Sequence, residues 1–89
     1  AETSTGVLQD IGPLRALADE LGALLLVDAV TSLGCVPLEV DAWDIDAIYS
    51  CSQKGMSCTP GLSPVSFSPR AVERIRERGT KTDESKMLE

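Results

Sequence analysis

Two charged residues of complementary chemistry follow apolar runs in this sequence. Asp28 closes the run ALLLVDA at residues 23–29, and Lys54 comes shortly after DAIYS at residues 46–50. An unbroken apolar run of this kind suits a strand that is buried on both faces of a parallel sheet. Ligands of open α/β sheets gather at the carboxyl ends of such strands. If the two strands are neighbours, a carboxylate and an amine line the same crevice.

The residues alone leave two interpretations of this pair open. One is a salt bridge at the edge of a sheet, or two unrelated surface charges, and spacing alone favours this simpler interpretation. The other is a site for pyridoxal phosphate, which needs a lysine for covalent attachment and an acid that keeps its pyridine nitrogen protonated. Those two groups serve opposite ends of a flat ring, so in such a site they would not touch.

The elements that position the pair follow from the periodicity of apolar residues. Residues 10–22 carry Leu14, Leu17, Ala18 and Leu21 on one face, which predicts a helix that ends at a glycine. The two apolar runs that follow are predicted as buried strands. Residues 36–40 alternate but contain a proline, and they form at best a short edge element.

The last third of the chain predicts a strand and a second helix. Residues 64–69 alternate like a strand, and residues 69–79 form a helix with Ser68 as its N-cap and Gly79 at its end. Helices that alternate with strands indicate a piece of a layered α/β domain. Two or three strands cannot cover both of their faces with two helices, so a complete doubly wound sheet is excluded.

Composition excludes several classes of function. The 89 residues carry a net charge of −6 and offer no basic stripe, which argues against nucleic acid and anionic membranes as partners. There is no histidine, so Ser-His and Cys-His catalysis and histidine-bearing metal sites are excluded, and no metal site is predicted. No apolar run is long enough to span a bilayer, and the first ten residues do not have the pattern of a signal peptide.

The cysteines point to a reducing environment. Cys35, Cys51 and Cys58 are odd in number and lack CxxC spacing, which is typical of reduced thiols in an intracellular protein. Without a base nearby, Cys51 and Cys58 are interpreted as small packing residues. We therefore expect a soluble intracellular protein, in the cytoplasm, a peroxisome or a mitochondrion.

Four short stretches form an ordered set. They read ETSTG at residues 2–6, VDAVTSLG at 27–34, SQK at 52–54 and PG at 60–61. In order and separation this set resembles the class V aminotransferases, most of all the alanine–glyoxylate and serine–pyruvate aminotransferases. The resemblance covers about residues 1–80. It implies a piece of the mostly parallel-sheet large domain of a pyridoxal phosphate-dependent aminotransferase, with helices packed on the sheet.

The resemblance also implies roles for individual residues. Lys54 would form the Schiff base with pyridoxal 5′-phosphate and move the proton at the α-carbon of the substrate. Asp28 would pair with the pyridinium nitrogen, and Val30 would pack against one face of the ring. Thr3 would lie near the ring hydroxyl, and Gln53 near the phosphate.

The function implied by the resemblance is transfer of an amino group from alanine or serine to glyoxylate or pyruvate. The parent protein would be a homodimer that takes small amino acids and 2-oxo acids. Residues 1–80 would be a partial cofactor-binding domain that carries the Schiff-base lysine. Residues 81–89 depart from the family pattern and are predicted to be a polar tail that is disordered or foreign to the family.

Other functions stay open at this point. Phosphoserine aminotransferase and cysteine desulfurase activities would use the same lysine and aspartate, although desulfurases usually carry a histidine where Gln53 stands. A non-catalytic remnant of the family, or an interaction module, would also fit, because the family's main phosphate-binding loop and substrate-binding arginine are not found in the sequence.

Overall fold

A computed structural model describes the backbone of residues 1–87 and the side chains of residues 1–79. This part of the chain forms two helices and three short strands. Their order is α1 (Leu14–Glu20), β1 (Leu26–Asp28), β2 (Ala47–Tyr49), β3 (Val65–Phe67) and α2 (Pro69–Met87). Each predicted helix and buried strand is present, and the strands are shorter than their apolar runs.

The three strands form one mixed sheet in the order β1-β2-β3. Strands β1 and β2 run parallel, with Asp28 opposite Tyr49. Strand β3 runs antiparallel to β2, with Val65 opposite Tyr49. Because β1 and β2 are parallel neighbours, their carboxyl ends meet at the same edge of the sheet, as the positions of Asp28 and Lys54 predict.

One face of the sheet is covered and the other is open. Val27 and Ile48 are buried in a cluster that includes Ala18 of α1. The opposite face carries Leu26, which is 67% exposed, and Phe67, which is 48% exposed. The prediction that β1 is buried on both faces is therefore wrong, because α1 packs against one face only.

A buried acid joins the sheet to both helices. Asp46 is fully buried, and its carboxylate accepts hydrogen bonds from the amide of Leu25 at 2.8 Å and the hydroxyl of Ser68 at 2.9 Å. It also pairs with Arg15 of α1 and Arg70 of α2, each at 2.7 Å. Burial works to raise the pKa of Asp46, but the hydrogen bonds from Leu25, Arg15, Arg70 and Ser68 outweigh it and hold this pKa well below its ordinary value.

The ends of α2 fulfil one prediction and contradict another. Ser68 caps the helix, since its Oγ accepts a hydrogen bond from the amide of Ala71 at 3.0 Å. The predicted end at Gly79 is wrong, because α2 continues to Met87. A helix-interior glycine costs about 1 kcal/mol relative to alanine, which is too little to end a helix by itself. The predicted polar tail, residues 81–89, lies outside the described side chains, and the domain division at residue 80 stays a prediction.

The edge element considered for residues 36–40 is not a strand. The amides of Cys35 and Val36 both donate to the carbonyl of Ser32, so the chain folds there into turns. Within the described residues, neither helix is long and apolar enough to cross a membrane.

Candidate active site

Three segments meet at the carboxyl ends of β1 and β2: residues 1–7, 29–34 and 50–59. The first segment is tied to the second at its start. The hydroxyl of Thr31 donates to the carbonyl of Ala1 at 3.1 Å, and the α-amino group of Ala1 donates to the hydroxyl of Ser32 at 3.3 Å. The third segment continues from β2, next to β1.

Asp28 is held in one orientation by two donors. Its Oδ1 accepts from the amide of Val30 at 2.9 Å, and its Oδ2 accepts from the phenol of Tyr49 at 2.8 Å. The hydrogen bond from Val30 and then that from Tyr49 hold the pKa of Asp28 below its ordinary value. The carboxyl group is therefore ionised at neutral pH, and it remains exposed to solvent. An ionised, oriented acid of this kind suits a partner that must stay protonated.

Lys54 is carried by a loop whose backbone is pinned in place. Ser52 is 2% exposed, and its hydroxyl donates to the carbonyl of Thr59 at 2.6 Å. The amide of Ser57 donates to the carbonyl of Lys54 at 2.9 Å. The side chain of Lys54 is exposed, and within residues 1–79 its amine makes no hydrogen bond or ion pair.

These contacts contradict a salt bridge between the two charged residues, whereas the interpretation as two unrelated surface charges is not contradicted. The donors to Asp28 are Val30 and Tyr49, and Lys54 forms no salt bridge with it in the described part of the chain. Within the described residues, an oriented acid and an amine that makes no pair are compatible with two separate ends of a ligand, which stays a prediction.

Two glycines bring the loops after β1 and β2 into backbone contact. Gly34 has φ of +89°, and a Cβ built on it would lie 2.6 Å from the carbonyl oxygen of Gly55. A Cβ on Gly55 would in turn overlap the carbonyl oxygen of Leu33. A larger side chain at either position would force these loops apart, so the two glycines set the distance between the Asp28 loop and the Lys54 loop.

The remaining predicted site residues lie on the same three segments. Thr3 is exposed in a turn closed by a bridge between Glu2 and Val7. Val30 is half-buried two residues after the acid, and Gln53 is exposed beside the lysine. The structure thus brings the five predicted residues to one edge of the sheet, while their individual roles stay predictions.

A cleft of about 210 Å³ lies on the acid's side of this edge. Asp28 and Ser32 line it together with Gln9 and Trp43, and Lys54 does not. The cleft is smaller than the range of about 300–1,000 Å³ that is usual for ligand pockets. This cleft therefore offers space beside the acid only.

Sequence reasoning missed the partners of the site residues. No individual role is predicted from the sequence for four residues that hold the acid and the lysine loop: Tyr49, Ser52, Gly34 and Gly55. No signal in the sequence identifies Tyr49, because its pairing with Asp28 depends on the strand register, which the apolar runs do not specify.

The cysteines are free thiols, as predicted. Cys51 is half-buried, which agrees with a packing residue. Cys35 and Cys58 are exposed, so the packing interpretation of Cys58 is wrong.

Comparison with known proteins connects this arrangement to one family. The family model "Aminotransferase class-V" matches residues 1–89. Alanine–glyoxylate aminotransferase of Oryctolagus cuniculus is 46% identical over 80 residues, covering 90% of this chain and 20% of the relative. The soluble hydrogenase small subunit of Synechococcus sp. (strain PCC 6716) is 49% identical over 77 residues, covering 85% of this chain and 20% of that protein.

A solved structure extends the likeness to the fold. The crystal structure of alanine–glyoxylate aminotransferase from Nostoc sp. superposes with a TM-score of 0.81 at 55% identity, covering 85% of this chain and 20% of that one. The expected fold class, a piece of the α/β large domain of an aminotransferase, is confirmed by this match. The chain spans about a fifth of the length of these relatives, and it belongs to the class V aminotransferase family.

Proposed function

We propose that this chain is the lysine-bearing part of a pyridoxal phosphate-dependent aminotransferase that moves an amino group from alanine or serine to glyoxylate or pyruvate. One observation carries the proposal: neighbouring parallel strands bring an oriented, ionised Asp28 and Lys54, whose amine makes no pair within residues 1–79, to the same edge of the sheet. The names of several relatives, alanine–glyoxylate aminotransferases, support the substrate class.

The described residues fit the two chemical ends of this cofactor. Asp28 would accept a hydrogen bond from the protonated pyridine nitrogen, because its carboxylate stays ionised and the described residues donate to only one acceptor position on each oxygen. Lys54 would attach the cofactor through Nζ, then take and return the proton at the α-carbon of the amino acid. When bound, the cofactor withdraws electrons from that carbon and so acidifies it.

Three further residues complete the proposed contacts. Val30 would pack on one face of the ring, Thr3 would approach its hydroxyl, and Gln53 would approach the phosphate. All three lie on the segments that converge with Asp28 and Lys54.

Binding of the substrate carboxylate is not assigned to a residue of this chain. Two arginines of the described part, Arg15 and Arg70, are paired with Asp46 below the sheet edge. Turnover therefore needs groups other than the described residues, since an unpositioned substrate reacts slowly. The family's homodimer is part of the proposal, and sedimentation of the intact protein tests it.

Covalent trapping tests whether the site is formed. The chain is mixed with pyridoxal 5′-phosphate, reduced with borohydride and digested, and the modified lysine is mapped by mass. We expect labelling chiefly at Lys54, with little at Lys81 and Lys86, and loss of that label in Lys54→Arg. Equal labelling of all three lysines would contradict the proposal and favour a remnant without a formed site.

An aspartate variant tests the acid separately. We expect Asp28→Asn to keep the label at Lys54 but to retain unreduced cofactor more weakly, because the pyridine nitrogen loses its anionic partner. Asp41→Asn is the matched control, since Asp41 is an exposed acid in a turn before β2. Equal retention in the two variants would remove Asp28 from the site.

A further inference from the structure

Tyr49 contacts the proposed cofactor acid although the family resemblance gives it no role. Its phenol donates to Oδ2 of Asp28 at 2.8 Å. We propose that Tyr49 is a positioning residue, whose O–H fixes the Asp28 carboxylate in the orientation that receives the pyridine nitrogen. The identity of that ligand rests on the proposed function, whereas the contact between the two side chains does not.

The sheet register makes this contact a property of the fold. Asp28 and Tyr49 are the last residues of β1 and β2, and they are direct partners in the parallel ladder. The amide of Ala29 also donates to the carbonyl of Tyr49 at 2.9 Å, which extends the ladder past both side chains. Both side chains therefore leave the sheet on the same face, at the same height.

The hydrogen bond leaves the acid able to bind a cation. A carboxylate offers about four acceptor positions. Val30 and Tyr49 occupy one on each oxygen of Asp28. The carboxylate is thus held at both oxygens, and the side chains of residues 1–79 leave an acceptor position open on each.

Packing does not account for the O–H group of the tyrosine. The residue is 49% exposed and lies on the open face of the sheet, so about half of its surface is covered, and its phenol lies at the exposed acid. The position opposite Tyr49 on β3 is Val65, which is 57% exposed. A phenylalanine would fill the same space and remove only the O–H group.

The groups that face Asp28 set the direction of its response to pH. The amide of Val30 and the phenol of Tyr49 lower the pKa of Asp28, and the ammonium of Ala1 lowers it further. The carboxylate of Glu2 lies close enough to Asp28 for the two negative charges to repel each other. In return, the hydrogen bond to Asp28 raises the pKa of Tyr49.

The first experiment examines the contact without any cofactor. The chain contains a single tyrosine, so near-ultraviolet absorbance follows its phenol alone during an alkaline titration, with circular dichroism to confirm that the fold persists. We expect the phenol to titrate above its ordinary value of about 10, and at a lower pH in Asp28→Asn but not in Asp41→Asn. Identical titration in Asp28→Asn and the parent chain would overturn the contact.

The second experiment examines the positioning role. Retention of pyridoxal 5′-phosphate by the full chain is measured against pH for the parent, Tyr49→Phe and Ser66→Ala, which removes an exposed hydroxyl from the adjacent strand. Because the pKa of Asp28 is lowered, its carboxyl group stays ionised down to that pKa. Retention of the cofactor should fail as pH falls through the pKa of Asp28. We expect this failure to begin at higher pH in Tyr49→Phe, with retention about fivefold weaker there, as loss of one ordinary hydrogen bond implies.

The outcomes separate this inference from the proposed function. An unchanged pH profile in Tyr49→Phe, with the parent chain binding cofactor, overturns the positioning role and leaves the function standing. Failure of the parent chain to bind cofactor overturns the function and the cofactor half of this inference together. In that case the phenol titration still decides whether Tyr49 holds Asp28.

Discussion

Replacing Asp46 by asparagine should remove much of the stability of this fold. The substitution keeps the size of the side chain and removes its charge. Four donors now converge on the carboxylate, from Leu25, Ser68, Arg15 and Arg70. An asparagine offers one acceptor oxygen, and its NH₂ group would face donors rather than acceptors.

The expected loss is about 3 kcal/mol. Removing one partner of a buried ion pair typically costs about 3–5 kcal/mol. The lower end applies here, because Arg70 is 47% exposed and can return to water. Arg15 also keeps an ion pair with Asp19 at 2.6 Å. A domain of this size has a total stability on the order of 5–10 kcal/mol, so the change is a large fraction of it.

Urea unfolding followed by tryptophan fluorescence measures this loss. Trp43 is the sole tryptophan and packs against the buried cluster, so its emission reports the core. The control is Asp44→Asn, which removes an ion pair with Arg70 at 3.2 Å. Because Asp44 is 63% exposed, this substitution should cost less than about 1 kcal/mol of stability. An Asp46→Asn free energy of unfolding within about 1 kcal/mol of the parent would refute the reasoning.

The same acid predicts how stability depends on pH. The pKa of Asp46 is lowered in the folded chain, so its contribution is complete above the ordinary carboxyl value of about 3.9. That contribution is lost as pH falls below this value toward the folded pKa. Asp46→Asn should therefore flatten the acid limb of a stability–pH curve, and an equally steep limb in the variant would assign the acid sensitivity to other carboxyl groups.

Two further predictions concern the loops and the second helix. Gly34→Ala should lower both the free energy of unfolding and the labelling of Lys54, because Gly34 has a positive φ and the new methyl group would meet the Gly55 carbonyl. Gly79→Ala, which lies in open space on α2, should instead stabilise the fold by about 0.5–1 kcal/mol. Equal effects of the two substitutions in urea unfolding and borohydride trapping would contradict this. Ser68→Ala should cost about 1 kcal/mol or more in urea unfolding, because it removes a helix cap and a donor to Asp46, and a neutral effect would show that the cap is dispensable.

The sequence predicted the helices and strands better than it predicted which of their faces are covered. Apolar periodicity located both helices and all three strands of the described chain, and the polar residues after two of the runs located the edge where Asp28 and Lys54 lie. These signals are local, so they can be read from neighbouring residues. Burial of β1 on both faces was predicted wrongly, because whether a face is covered depends on distant segments.

Partners that are far apart in sequence escaped prediction for the same reason. Asp46 bonds with groups 21 to 31 residues away, and nothing near it in the sequence distinguishes it from the exposed Asp41 and Asp44. The contact between Tyr49 and Asp28 needs the strand register, which the apolar runs do not specify. The contact of Gly34 with Gly55 is between backbones, and composition shows only that small residues are present.

The open face of the sheet has a consequence for how copies of this chain behave at high concentration. Leu26, Val65 and Phe67 present an apolar strip, and β1 and β3 are both edge strands. Exposed edges and apolar strips are starting points for aggregation. The net charge of −6 opposes it, because like-charged copies repel one another. That repulsion is weakened by salt, so colloidal stability of the chain should depend on ionic strength even where the fold itself does not change.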